Sequence, residues 1–253
     1  MKHLRIAMWS GPRNISTAMM RSFSSRSDTY VSDEPFYANY LMRTGIDHPG
    51  REEIIESYDT DYDSVISDLQ NDIPDNKSIW YQKHMAQHID PTDNLKWTNS
   101  FLNCLLIRNP NEVIPSFLQK SSIADSDALG YSQQLRLLQY HDYKIPTVDA
   151  KDILLNPKSM LTKICSFFKI EFEKADFYWI RPQQIQYSMK PEKKSYSAII
   201  IRETFHGLWR KYRLKLSNQI ELDMVVDGQC PIKGKEVFIT LPPAHLLVFH
   251  KTR

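Results

Sequence analysis

Residues 6–23 read IAMWSGPRNISTAMMRSF, and they set a cluster of polar groups between an apolar run and a helical pattern. Arg13 supplies a permanent cation with a forked set of donors, and Ser16 and Thr17 supply hydroxyls. Gly11-Pro12 makes the turn, and Asn14 and Ile15 lead into the helix. Unpaired N–H groups and aligned peptide dipoles at a helix start attract anions. A nucleoside-triphosphate loop would carry lysine followed by a magnesium-binding hydroxyl residue. Here the order is Arg13, Asn14, Ile15, Ser16, which disfavours magnesium-dependent triphosphate hydrolysis. The segment alone also fits a plain strand-to-helix turn with a surface arginine.

A second group of the same kind lies in CLLIRNPNEVIPSF, residues 104–117. Arg108 follows an apolar run, and Ser116 stands eight residues on, about two turns into the next helix. A guanidinium with a hydroxyl beside it suits a phosphate monoester. Two separated anion sites on one sheet edge imply one ligand with two anionic groups.

The elements that must position these groups follow from hydrophobic period. Leu4–Trp9, Thr29–Ser32, Ile79–Gln82, Cys104–Ile107 and Ile145–Val148 have strand length and character. Helical spacing marks Ile15, Ala18, Met19 and Phe23; Tyr62, Val65, Ile66 and Leu69; Val113, Ile114, Phe117 and Leu118; Tyr131, Leu135 and Leu138; and Leu161, Ile164 and Phe168. Asn109-Pro110 and Asn156-Pro157 are helix starts, and Pro115 should bend its helix. Strands alternating with helices predict an α/β fold, a central parallel sheet with helices on both faces. Ligands of such sheets bind beyond the carboxyl ends of the strands. This core spans residues 1–176; residues 177–253 are expected to complete the same domain, with short strands at Val237–Thr240 and Leu246–Phe249.

Composition narrows the partners. A net charge of +2 is too small to indicate nucleic acid. Three cysteines without CxxC or Cys/His spacing fit a reducing compartment, with neither a disulfide framework nor a zinc site. The apolar run before Gly11 is short for a signal peptide, no run reaches membrane length, and the expected location is cytoplasmic. Residues 51–76 carry nine acidic side chains against Arg51, whereas 190–215 carry eight basic ones against Glu192 and Glu203.

Taken together, SGPRNIST resembles the 5′-phosphosulfate loop of sulfotransferases, and LLIRNPNEVIPSF resembles their 3′-phosphate motif. PTVDAKDILLNP (146–157) is similar to the segment after the next core strand of that superfamily. WSGPRNISTAMMRSF, DEPFYANYL, TGIDHPGREE and QKHMAQH resemble soluble sulfotransferase-like domains sometimes fused to aminotransferase-like domains. The resemblance covers about residues 4–170. It implies a P-loop NTPase-like three-layer fold, 3′-phosphoadenosine 5′-phosphosulfate (PAPS) as sulfuryl donor, 3′,5′-ADP (PAP) as product, and no metal.

By the same resemblance, Gly11, Pro12, Arg13 and the backbone of Asn14, Ile15, Ser16 and Thr17 hold the phosphosulfate, and Arg108 and Ser116 hold the 3′-phosphate. Superfamily members use a glutamate or a histidine as base, so Glu34 in SDEPFY and His84 in YQKHMAQH are both candidates, with Lys83 beside His84. His84 and His88 stand i,i+4 and could form a metal pair, but no third ligand is evident. HGLWRK (206–211) is similar to a Gly-x-Trp-Lys element near the 3′-phosphate, which implies that Gly207, Trp209, Arg210 and Lys211 close over the nucleotide; it also fits a basic amphipathic helix end. The acceptor is expected to be a small molecule, without nucleic acid or membrane. Three functions compete: an active sulfotransferase, a non-catalytic nucleotide-binding or interaction protein of the same fold, and a phosphoryl-transfer enzyme.

Overall fold

Strand β1, Leu4–Ser10, is buried over its last five residues. An apolar run covered on both faces belongs at the centre of a parallel sheet. That is where it lies in the computed structural model of the chain, which describes residues 3–119, 126–172, 178–179, 186–191, 195–205, 209–217, 221–227, 232, 234–240 and 247–248. The chain divides into two compact units, Met1–Ala175 and Asp176–Arg253.

In the first unit, α1 (Ser16–Ser24), β2 (Thr29–Asp33), α2 (Tyr37–Thr44), α3 (Arg51–Ser57), α4 (Tyr62–Gln70), β3 (Ile79–Met85), β4 (Leu102–Ile107), α5 (Pro110–Leu118), α6 (Tyr131–Tyr140), β5 (Thr147–Asp149), α7 (Ala150–Leu155) and α8 (Pro157–Phe167) follow in order. The strands pair in parallel in the order β2-β3-β1-β4-β5. The chain leaves β1 toward one side and returns to its other side with β4. The crevice beyond the end of β1 is therefore the switch point at which such sheets bind ligands.

Packing fixes these elements. Trp9, Phe36, Val65, Leu69, Trp97, Phe101, Leu105 and Leu137 share one buried cluster. Its tryptophans keep their N–H groups satisfied, Trp9 by Asn103 Oδ1 at 3.0 Å and Trp97 by the Tyr62 hydroxyl at 2.9 Å. Asn109 caps α5 by accepting from the Asn111 N–H, and Asn156 caps α8 through the Ser159 N–H.

Three expectations need correction. Strand β3 runs on to Met85, because Lys83 stays in register with Met8 on one side and Asp33 on the other. Lys83 and His84 thus lie within the strand and face opposite sides of the sheet. In α6 the buried face is Gln133, Gln134 and Leu137, while Leu135 is exposed; in α5 Leu118 is exposed. The segment that also fitted a basic helix end is β9, Trp209–Leu216, with Tyr212 and Leu214 buried and Arg213 exposed in strand alternation.

The second unit, expected to complete the core domain, has a sheet and buried cluster of its own. Strands β7 (Gln186–Ser188), β8 (Tyr196–Phe205), β9, β10 (Glu221–Asp227) and β11 (Glu236–Thr240) form an antiparallel sheet in the order β10-β9-β8-β11-β7. Ala198, Tyr212, Leu214, Met224, Val237 and Ile239 are packed within it. Strands β6 (Tyr178–Trp179) and β12 (Leu247–Val248) pair separately; Gly207, Leu246 and Phe249 lie outside the described residues.

Candidate active site

The turn after β1 is held against neighbouring backbone. A Cβ on Gly11 would lie 2.4 Å from the Leu129 carbonyl oxygen, so glycine is required by space. Arg13 and Ile15 are left-handed, with φ of 65° and 52°, and Asn14 between them is not. Left-handed residues alternating with right-handed ones form nests, in which successive N–H groups converge on an anion. Left-handed backbone is unfavourable for a β-branched residue, so the surrounding contacts must impose it on Ile15. One such contact is the Asn14 amide, which is buried and donates to the Leu106 carbonyl at 3.0 Å. Ile15 provides no side-chain cap to α1, so the first-turn N–H groups have no acceptor from the N-cap residue.

The two anion motifs meet. Arg13 Nε donates to Ser116 Oγ at 2.8 Å, and Arg108 Nη1 donates to the Arg13 carbonyl at 3.1 Å. Ser116 thus contacts Arg13, and the two motifs are linked through Arg13. Arg108, in the turn before α5, instead pairs with Glu112 in the first turn of that helix, Nε to Oε2 at 2.8 Å. The Nη groups of Arg13 have no protein partner among the described residues.

Across the same strand ends, Lys83 Nζ lies 2.7 Å from Asp33 Oδ1 and 2.6 Å from Glu34 Oε1. The Lys83 side chain is only 4% exposed, whereas that of Glu34 is 27% exposed and can meet a substrate. Glu34 has φ 51° and is held by its N–H to the Lys83 carbonyl and by its own carbonyl, which accepts from Tyr37 N–H, both at 2.9 Å. His88 Nε2 is 3.9 Å from Glu34 Oε2.

His84 has a different setting. It is buried, stacked on Trp9 at 4.4 Å, flanked by Phe36 and Trp97, and in contact with Gln82 Oε1 at 3.2 Å. Burial pushes its pKa down to about 3. A side chain enclosed in this way packs in the aromatic core, whereas the Glu34 carboxylate is partly exposed.

A sequence model described as a sulfotransferase domain matches residues 4–199. The chain belongs to the sulfotransferase domain family. Two Arabidopsis thaliana proteins, branched-chain-amino-acid aminotransferase-like proteins 2 and 1, are each 30% identical to this sulfotransferase-family chain over 182 residues, or 69% of it. The match spans 31% and 32% of those relatives' lengths. Among solved structures, the sulfotransferase domain of the Synechococcus PCC 7002 olefin synthase is 17% identical with a TM-score of 0.45, covering 69% of this chain and 77% of that one. A sulfotransferase from Alicyclobacillus acidocaldarius is 11% identical with a TM-score of 0.46, covering 68% and 83%.

Trp209 and Arg210 fall in the second unit, where Arg210 pairs with Glu203. Among the described residues no three His, Cys, Asp or Glu side chains are grouped as metal ligands, and no helix is long and apolar enough to cross a membrane. Sequence reading missed Asp33, the second carboxylate on Lys83, although it directly precedes Glu34. It also missed the Leu129-Gly130 segment that closes on Gly11; the lone glycine was its only signal.

Proposed function

We propose that the chain transfers a sulfuryl group from PAPS, in line, to a hydroxyl or amine of a small-molecule acceptor in the cytoplasm. The observation that carries this reading is the contact of Arg13 with Ser116 and Arg108 beside the turn after β1, at the same strand ends as the partly exposed Glu34. The fit to the donor is supported by the close approach at Gly11, the uncapped start of α1 and the Arg13 Nη groups, which have no partner among the described residues. When bound, PAPS supplies the sulfuryl group and departs as 3′,5′-ADP.

The chain's own residues have distinct tasks. The nest and Arg13 bind the 5′ end of the nucleotide and stabilise charge that develops there, a preorganised arrangement that needs no rearrangement during reaction. Arg108 attracts the 3′-phosphate, exchanging part of its pairing with Glu112 for the ligand. Glu34 accepts the proton from the acceptor as the acceptor's oxygen or nitrogen bonds to sulfur. Lys83 fixes one Glu34 oxygen and leaves the other for that proton.

The test is radiolabelled PAPS with a broad panel of hydroxyl and amine acceptors. Transfer to one acceptor class is expected, abolished in Glu34→Gln with 3′,5′-ADP binding intact. Binding without transfer to any acceptor would assign a nucleotide-binding role instead. Magnesium-dependent ATP turnover would assign phosphoryl transfer.

A further inference from the structure

His88 has no part in the proposed transfer, yet the fold holds it on several sides. It ends the single helical turn Ala86–His88 and is 3% exposed. Tyr37 and Tyr40, one turn apart on α2, stack on it at 5.1 and 4.7 Å with interplanar angles of 19° and 27°. Its backbone is tied as well, since its carbonyl accepts from Arg43 Nη2 at 3.4 Å while Arg43 Nη1 holds Asp90 at 2.6 Å.

A ring gripped in this way can move little, and one nitrogen faces the candidate base. Lys83 takes Glu34 Oε1; His88 Nε2 stands 3.9 Å from Oε2. Nδ1 is buried and has no hydrogen-bond partner among the described residues. The geometry points to His88 as a positioning residue for Glu34: the neutral ring carries its proton on Nε2 and holds the second carboxylate oxygen in the direction of the acceptor. A displacement of Glu34 Oε2 by about 1 Å brings that contact into hydrogen-bond range.

The surrounding charges agree with a neutral ring. Burial first, then Lys83, His84 and Arg43, push the His88 pKa down to about 3. Nε2–H is the tautomer that a carboxylate selects, because a bare nitrogen would face its lone pairs. This inference rests on Glu34 being the base, but the measurement that decides it needs no turnover.

Nitrogen-15 NMR of the whole chain reads the His88 tautomer directly. The expected result is a neutral Nε2–H ring at neutral pH, with its Nε2 resonance displaced in Glu34→Gln while the His84 resonances stay in place. A bare Nε2, or an Nε2 resonance indifferent to Glu34→Gln, overturns the assignment. Where transfer is measurable, His88→Phe keeps the stack and removes the donor, so kcat should fall about 10- to 100-fold with the KM for PAPS within about twofold. His88→Gln restores a donor and should regain at least about fivefold of that loss. Equal kcat in wild type and His88→Phe would also overturn it. Absence of transfer in the wild type counts against the proposed function alone.

Discussion

Gly11→Ala probes the site through space alone, because Gly11 is not among the residues with left-handed backbone. The new Cβ would stand 2.4 Å from the Leu129 carbonyl oxygen and 3.1 Å from Gln134 Nε2. Ordinary contact requires about 1 Å more. The amide tip can swing away, but the carbonyl cannot do so freely. It precedes Gly130, whose own Cβ position is 2.9 Å from the Gln87 nitrogen, and the flanking backbone is tied by Gly130 N–H to Asp127 O at 3.0 Å and Tyr131 N–H to Ser126 O at 2.9 Å. The Gly11 turn must therefore give way. Overpacking of this kind costs about 1–3 kcal/mol, and the pinned neighbour argues for the upper half of that range. For a unit of this size each kcal/mol lowers Tm by about 2–4 °C, so a drop of about 4–12 °C is expected by thermal unfolding. Calorimetry should show 3′,5′-ADP binding weakened at least about tenfold, because the nest moves with the turn. Gly45→Ala is the control: Gly45 has φ 65° with nothing within 4 Å, so strain of about 1 kcal/mol is expected with binding unchanged. If Gly11→Ala unfolds at the wild-type temperature and binds 3′,5′-ADP as tightly, the reasoning about this loop fails.

Further outcomes follow from the same geometry. Ser116→Ala removes the partner of Arg13 Nε, and a loss of about 1 kcal/mol, or about fivefold in 3′,5′-ADP affinity, should appear by calorimetry. Lys83→Met takes the buried ammonium from between Asp33 and Glu34; transfer should fall at least about 100-fold, and wild-type rates would remove Lys83 from the mechanism. His84→Phe should retain transfer, since the ring belongs to the core; loss of transfer with Tm preserved would restore His84 as a base. The same variant should resist acid better. The His84 pKa is about 3 when folded against 6.5 for the free side chain, so its contribution is complete above about pH 6.5 and is lost as pH falls toward 3. The slope reaches about 1.4 kcal/mol per pH unit at most, measurable as unfolding free energy against pH for both proteins.

Much of the first unit was legible because its signals are local. Continuous apolar runs at β1 and β4 announced buried parallel strands, and Asn-Pro pairs announced α5 and α8. Partnerships across the sheet were not legible. Arg108 and Ser116 are eight residues apart and looked like mutual partners, but the fold gives Ser116 to Arg13, 103 residues away. His84 and Lys83 are adjacent in sequence, and strand alternation sends one into the aromatic cluster and the other to the carboxylates. The run of basic residues in β9 misled for a related reason: outward-facing charges on an antiparallel strand alternate with Tyr212 and Leu214, a period of two that reads as mixed polarity in a helical window.

The central claim is that Arg13 and Arg108 form a clamp built for a nucleotide with phosphates at both 5′ and 3′ positions. Calorimetric titration with 3′,5′-ADP and with 5′-AMP, for wild type and Arg108→Ala, tests it most directly. A charge-assisted contact to the 3′-phosphate is worth about 1.5–3 kcal/mol, so wild type should prefer 3′,5′-ADP by about 10- to 100-fold, and Arg108→Ala should bind the two alike. Equal affinities in wild type, or a preference that survives Arg108→Ala, would contradict the account.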